Sequence, residues 1–180
     1  MRDTVSLLVQ YARYHRDPRN IATHLVGIPL IVLGIGVLLS HPSIPLTPGA
    51  LWALTPGWAL WAAAALWYLT RGGLLLMVSV IAANGLVMLL AHWMAVQAGD
   101  RWVALGAGLF VAGWVIQFIG HYYEGRKPAF MDDLIGLLVG PMFVVAEVLF
   151  ALRLCGELRQ TIEAEAGPVR LRDLHAGALR

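Results

Sequence analysis

Five apolar stretches, at about residues 25–40, 51–70, 73–98, 102–120 and 134–153, fill most of this 180-residue chain and constrain its fold more than any other feature. A helix that spans a bilayer needs about 20 mostly apolar residues, within a range of roughly 17–25. The second, third and fourth stretches reach that length. The first does so if it begins near His24, with a kink expected at Pro29. The fifth contains Gly136, Gly140, Pro141 and Glu147, so a kinked, tilted or re-entrant element is expected, turning at Gly140-Pro141. Composition agrees: 59% of residues are hydrophobic and 13% charged, whereas a soluble domain carries roughly 25% charged residues. With a mean hydropathy of +0.70, the chain cannot coat a soluble globule. The expected fold is an all-α polytopic membrane bundle of four full spans plus the irregular fifth segment. Residues 1–155 are expected to form one membrane-embedded unit and residues 156–180 a charged tail, helical at first and then frayed.

Residues 2–16 read as a short interfacial helix, apolar at Val5, Leu8, Val9 and Ala12 and basic at Arg2, Arg13 and Arg16. Asp17-Pro18-Arg19 breaks it, and Asn20 is placed to cap the helix that follows. The segment from Met1 to Asn20 lacks the apolar core of a signal peptide, so targeting is expected to rest on the first membrane segment. With the N-terminus cytoplasmic, seven Lys/Arg (Arg2, Arg13, Arg16, Arg19, Arg71, Arg126, Lys127) fall on the cytoplasmic side and one, Arg101, outside. The basic tail also asks to be cytoplasmic, which four crossings and a re-entrant fifth segment allow, although five simple spans stay open. The net charge is only +2, and no basic cluster with interleaved aromatics points to nucleic acid. The single Cys155 excludes an internal disulfide and a cysteine-based zinc site. The seven tryptophans fall largely near span ends and read as interfacial anchors.

The polar residues gather at one end of this apolar frame. His15, Asn20 and His24 precede the first span and His121 ends the fourth, so an even number of crossings puts them at one face. Asn20 and His24, four apart, share a helix face. His15 can join them only if the Asp17-Pro18 turn folds the first helix back. Gln117, His121 and Glu124, spaced four and three, form a single stripe, and His-x-x-Glu is a metal-ligand spacing in carboxylate helix bundles. Asp132 and Asp133 follow, placed to cap the next element or to support a ligand. Polar groups at membrane depth are costly and mark function, so the set is expected to form a site. Glu147, inside an apolar run, is expected to pair with His24 or Arg126, as support or as part of the chemistry. His41 lies on the other face. His92 is expected to hydrogen-bond a neighbour such as Asn84, and His175 belongs to the tail.

Two or three histidines with a carboxylate suit Fe(II), Zn(II) or Mn(II), and spacing alone does not choose among them. No phosphate loop, nucleophile elbow or dinucleotide fingerprint is present. A site at headgroup level can meet a long-chain lipid at its polar end, and Arg126-Lys127 would suit a carboxylate. Three blocks of sequence go further: Tyr14-His15-x4-Asn20-x3-His24-x2-Gly27-x-Pro29, Gln117-Phe118-Ile119-Gly120-His121-x2-Glu124-Gly125-x2-Pro128-Ala129, and Gly140-Pro141-x-Phe143-x3-Glu147. Together, over about residues 11–150, they resemble the 2-hydroxy-fatty-acid dioxygenase family. The resemblance implies an Fe(II)- and O2-dependent α-oxidation, part of lipid and sphingoid-base degradation, that shortens a long-chain 2-hydroxy fatty acid by one carbon. It implies His15, His24 and His121 as iron ligands, with Glu124 or Asp132 or another histidine as a fourth. Asn20, Gln117, Glu124 and Asp132 are then expected to act in the chemistry. Tyr14, Arg126 and Lys127 would bind substrate, and Glu147 and Asp133 would stand behind the ligands. The expected location is an integral membrane one, a bacterial inner membrane or, in a eukaryote, the endoplasmic reticulum, with the site cytoplasmic. Two other readings stay open: a membrane zinc hydrolase acting on a lipid, and a small transporter or structural protein without catalysis. A transporter would line a path across the bilayer rather than cluster its polar groups at one face.

Overall fold

A computed structural model describes residues 3–46, 53–128, 131 and 133–174. The fold is all-helical: α1 (Thr4–Ala12), α2 (Pro18–Leu38), α3 (Pro56–Leu69), α4 (Leu74–Ala98), α5 (Trp102–Glu124), α6 (Gly136–Ala151) and α7 (Gly156–Ala166). A two-residue antiparallel pairing, β1 (Ile44–Pro45) with β2 (Ala53–Leu54), pins the loop between α2 and α3.

Among the described residues, two helical runs are long and apolar enough to cross a membrane, Pro18–Leu38 and Leu74–Glu124. The second has 51 residues, more than twice the length of one crossing. It doubles back at a 3-10 turn over Gly99–Arg101, because Ala91 and Ala95 of α4 pack in one cluster with Trp102, Leu105 and Leu109 of α5. Helix α2 packs mainly on α5, antiparallel to it. Glycines spaced by seven make this approach: Gly27 and Gly34 on α2, Gly106, Gly113 and Gly120 on α5. A methyl group added at Gly113 would lie 2.7 Å from the Gly27 carbonyl oxygen, and one at Gly34 would lie 2.6 Å from the Phe110 nitrogen. Small residues let backbones come this close in a bilayer, where apolar burial does little to drive helices together. The stripe therefore sets the register that puts Asn20 and His24 beside Gln117 and His121.

Several expectations change. Helix α3 has 14 residues, about 21 Å, short of a crossing of about 30 Å. Helix α6 runs unbroken through Pro141, whose missing N–H forfeits one hydrogen bond. The sharp bend comes later, where α6 and α7 meet at 117° as a broken span or re-entrant loop. Helix α1 packs its apolar face into the bundle. Leu7, Leu8, Val9, Tyr11 and Ala12 are all buried, against α6, α7 and the start of α4. Residues 156–174 of the tail are docked: α7 buries Ile162 against α1, and the segment after it crosses the α1–α2 turn. There Arg170 N donates to the Arg16 carbonyl (3.0 Å) and Arg172 N to the Asp17 carboxylate (2.9 Å).

Candidate metal centre

The α1–α2 turn carries the geometry. Asp17 caps α2, accepting from Arg19 N at 2.9 Å, and this displaces Asn20 from the capping role its sequence position suggested. Pro18 stands in the first turn of α2, where its missing N–H costs nothing. The Asp17 carboxyl is held down at about pH 2, chiefly by the Arg19 guanidinium at 2.8 Å and also by the Arg172 amide. Folded back in this way, α1 sets His15 against His24.

Three buried histidines converge at this point. His15, His24 and His121 each bring one ring nitrogen to within 4.8 Å of the others, the only such cluster among the described residues. The ring centroids lie 4.3 Å (His15–His24), 5.0 Å (His24–His121) and 5.1 Å (His15–His121) apart. His15 Nδ1 lies 2.7 Å from the Tyr11 carbonyl oxygen, and His24 Nδ1 lies 2.8 Å from the Asn20 carbonyl oxygen. A carbonyl can only accept, so both Nδ1 atoms carry the proton. Burial above all, and then the nearby His24, push the His15 pKa well below its ordinary 6.5 and keep the ring neutral. The two Nε2 lone pairs then face each other at 2.9 Å. Two lone pairs at that distance repel unless a cation sits between them. Histidine ligands whose second nitrogen is held by a carbonyl are the usual supporting arrangement of a metal site. The donor set and its surroundings fit a divalent transition metal.

The carboxylates are placed otherwise. Glu124 accepts from the Asp17 amide (2.8 Å), the Arg16 amide (3.0 and 3.1 Å) and Asn20 Nδ2 (3.1 Å). It ties the end of α5 to the α1–α2 turn, near the positive end of α2, where a negative charge is favoured. Glu147 has Arg16, Arg159 and Glu163 as its charged neighbours, not His24 or Arg126. Asp133 accepts from Ile135 N at 3.0 Å and so supports the entry to α6. Asp132 lies outside the described residues, as does His175. Arg126 is exposed and donates to the Arg13 carbonyl at 2.8 Å, and Lys127 is exposed. Tyr14 contributes its carbonyl oxygen, which accepts from Asn20 Nδ2 at 3.1 Å. His92 does not bond Asn84, whose amide donates to the Val80 carbonyl.

Below the histidines lies an apolar cavity of about 230 Å³. One α2 face lines it with His24, Ile28, Ile31, Val32 and Ile35. Phe110, Trp114, Gln117 and His121 of α5 form a second wall, and Gly136, Leu137, Gly140 and Pro141 of α6 a third. At its polar end Gln117 Nε2 and His121 Nδ1 are buried with no hydrogen-bond partner among the described residues, while Asn20 Oδ1, likewise open, lies against Gly120 between α2 and α5. Buried polar atoms left open in this way need a ligand, an ion or water to complete them.

Sequence reasoning missed Tyr11 and quoted Phe143 only within the third block, without a role. The Tyr11 ring stacks on His15 at 4.2 Å and packs on Phe143 at 5.1 Å, and Phe143 lies 5.4 Å from His15. Burial keeps the Tyr11 hydroxyl protonated. A signal was present, since Tyr11 precedes His15 by four residues just as Asn20 precedes His24.

Residues 1–152 match the family model "Mpo1-like: 2-hydroxy-palmitic acid dioxygenase Mpo1-like". The chain is 30% identical over 163 residues to a Saccharomyces cerevisiae protein, 2-hydroxy-palmitic acid dioxygenase MPO1, covering 89% of this chain and 88% of the yeast one. No solved structure matches.

Proposed function

Because the chain belongs to the Mpo1-like family of 2-hydroxy-palmitic acid dioxygenases, we propose that it oxidises a long-chain 2-hydroxy fatty acid with O2 to the acid one carbon shorter, using Fe(II) held by His15, His24 and His121. The observation that carries the metal is the 2.9 Å approach of two Nε2 lone pairs, both rings fixed by carbonyl acceptors. Three neutral imidazoles would suit Fe(II) and Zn(II) alike, and the dioxygenase description of the family supports iron. When bound, Fe(II) supplies the one-electron chemistry that O2 requires.

The chain's own residues do the rest. The Tyr11 and Asn20 carbonyls hold the tautomers of His15 and His24. Tyr11 and Phe143 wall off water behind the rings. Gln117 Nε2 offers a donor to the carboxylate or 2-hydroxyl of the substrate, and the apolar cavity takes its chain. Glu124 is a positioning residue that keeps α1, α2 and α5 in register. Arg126 and Lys127 lie at the exposed rim, where they would draw an anionic headgroup toward the site. The arginine-rich ends of α1 and the tail favour a cytoplasmic orientation of this face.

The test is O2 uptake and product mass on 2-hydroxypalmitate by protein loaded anaerobically with Fe(II), beside protein loaded with Zn(II). Stoichiometric O2 consumption with the shortened acid is expected for iron alone. Tight zinc binding with lipid hydrolysis and no O2 uptake would overturn the proposal.

A further inference from the structure

A second apolar cavity of about 240 Å³ adjoins the first, and Val32, Ile35, Leu137 and Pro141 line both. Its remaining walls come from α3 and α4, among them Ala64, Ala65, Trp61 and Met88. It holds no histidine and no charged side chain. Its polar side chains are already engaged: Tyr68 donates to the Leu138 carbonyl (2.8 Å), Trp61 to the Ile81 carbonyl (3.0 Å) and Asn84 to the Val80 carbonyl (3.0 Å). A space whose polar groups are internally satisfied asks for a purely hydrocarbon occupant.

We infer that this second cavity holds the distal methylenes of the acyl chain, so that α3 and α4 set which chain lengths are used. The inference rests on the proposed substrate class and deepens it. Val32 and Ile35 lie 8 and 11 residues beyond His24 on the same helix, which at 1.5 Å per residue is about 12 and 16 Å from the histidines. An extended chain advances roughly 1.2 Å per bond, as the polypeptide backbone does with three bonds in about 3.6 Å. The divider between the cavities therefore stands about 10–14 carbons from the carboxylate. A ten-carbon acid ends in the first cavity, and a sixteen-carbon acid must cross into the second. Leu60, half exposed at the outer wall, opens the second cavity toward lipid, so still longer chains have an exit.

Two measurements on the full chain in detergent test this. In the first, Ala64→Phe and Ala65→Phe fill only the second cavity. The kcat/KM for 2-hydroxyhexadecanoate should fall roughly tenfold or more, the loss of two or more buried methylenes, while that for 2-hydroxydecanoate stays within about twofold of wild type. Met88→Ala, which enlarges the cavity, should shift preference toward longer acids. Equal effects on both acids, or none, would overturn the inference. The second measurement needs neither turnover nor a stable filling variant. A terminally brominated sixteen-carbon 2-hydroxy acid should quench a fluorescence component that Trp61→Phe removes, and a terminally brominated ten-carbon acid one that Trp114→Phe removes. If the longer acid quenches Trp61 but neither acid is oxidised, the reaction assignment fails and the second cavity stands as its chain site. If both acids are oxidised but Trp61 is never quenched, the second cavity is not the chain site.

Discussion

Glu124→Gln and Glu124→Ala should have very different consequences, because nearly all the work of this carboxylate passes through one oxygen. Oε2 accepts from Asp17 N (2.8 Å), Arg16 N (3.0 Å) and Asn20 Nδ2 (3.1 Å), and Oε1 adds only a longer contact to Arg16 N. A glutamine can place its carbonyl oxygen where Oε2 stands and keep all three donors. It loses the charge, which roughly halves the strength of each bond, a cost of about 1 kcal/mol after allowance for partial exposure. Alanine leaves three donors without a partner at about 1–3 kcal/mol each, or about 3 kcal/mol once water reaches some of them. For a chain of this size each kcal/mol lowers Tm by about 2–4 °C. The expected losses are therefore about 2–4 °C for glutamine and about 6–12 °C for alanine. Thermal unfolding in detergent, with iron content and turnover measured on the same preparations, reads both. The glutamine variant should keep its metal and most of its activity, and alanine should lose both as His15 drifts from His24. A direct role in proton transfer would instead cost glutamine about 10²–10⁴ in rate. A glutamine variant of wild-type stability with a loss of that size would refute the positioning role.

Three further outcomes follow from the same geometry. Replacing His15, His24 or His121 singly by alanine should abolish stable metal retention after gel filtration, and a variant keeping full iron content would remove that residue from the ligand set. Gly113→Ala should cost about 1–3 kcal/mol by forcing α2 from α5, whereas Gly108→Ala, which meets nothing within 4 Å, should be neutral in the same unfolding assay. The Asp17 carboxyl, lowered to about 2 from an ordinary 3.8, binds fewer protons folded than unfolded. Its contribution of roughly 2 kcal/mol is thus fully present above about pH 4 and lost as pH falls toward 2. Asp17→Asn should flatten the acid limb of the stability profile between those values, and an unchanged limb would show that Asp17 does not carry it.

Composition and the length of the apolar runs were enough to specify an all-helical fold with segments apolar enough to cross a membrane, because a bilayer accepts such segments as helices. The candidate ligands were legible as well. Spacing of four placed Asn20 with His24, spacing of four and three placed Gln117 with His121 and Glu124, and Asp17-Pro18 announced the fold-back that His15 required. What each polar group does once there was decided by tertiary structure. Glu124 looks like a ligand in a linear pattern, yet three donors from the α1–α2 turn take its carboxylate, and no local rule reports donors that arrive from a hundred residues away. Helix α1 reads as an interfacial helix because its basic residues are visible in sequence, whereas the α6 and α7 surfaces that bury it are not. The span count depends on where α3 begins and on the bend after Ala151, which hydropathy alone does not locate. The register of α2 on α5 depends on glycines that contribute nothing to hydropathy and act only when two backbones meet. Residue types and helical periods are local and can be read along the chain. The cavities, their shared wall and the 2.9 Å meeting of two imidazoles arise from contacts between distant segments, and only the packed helices decide them.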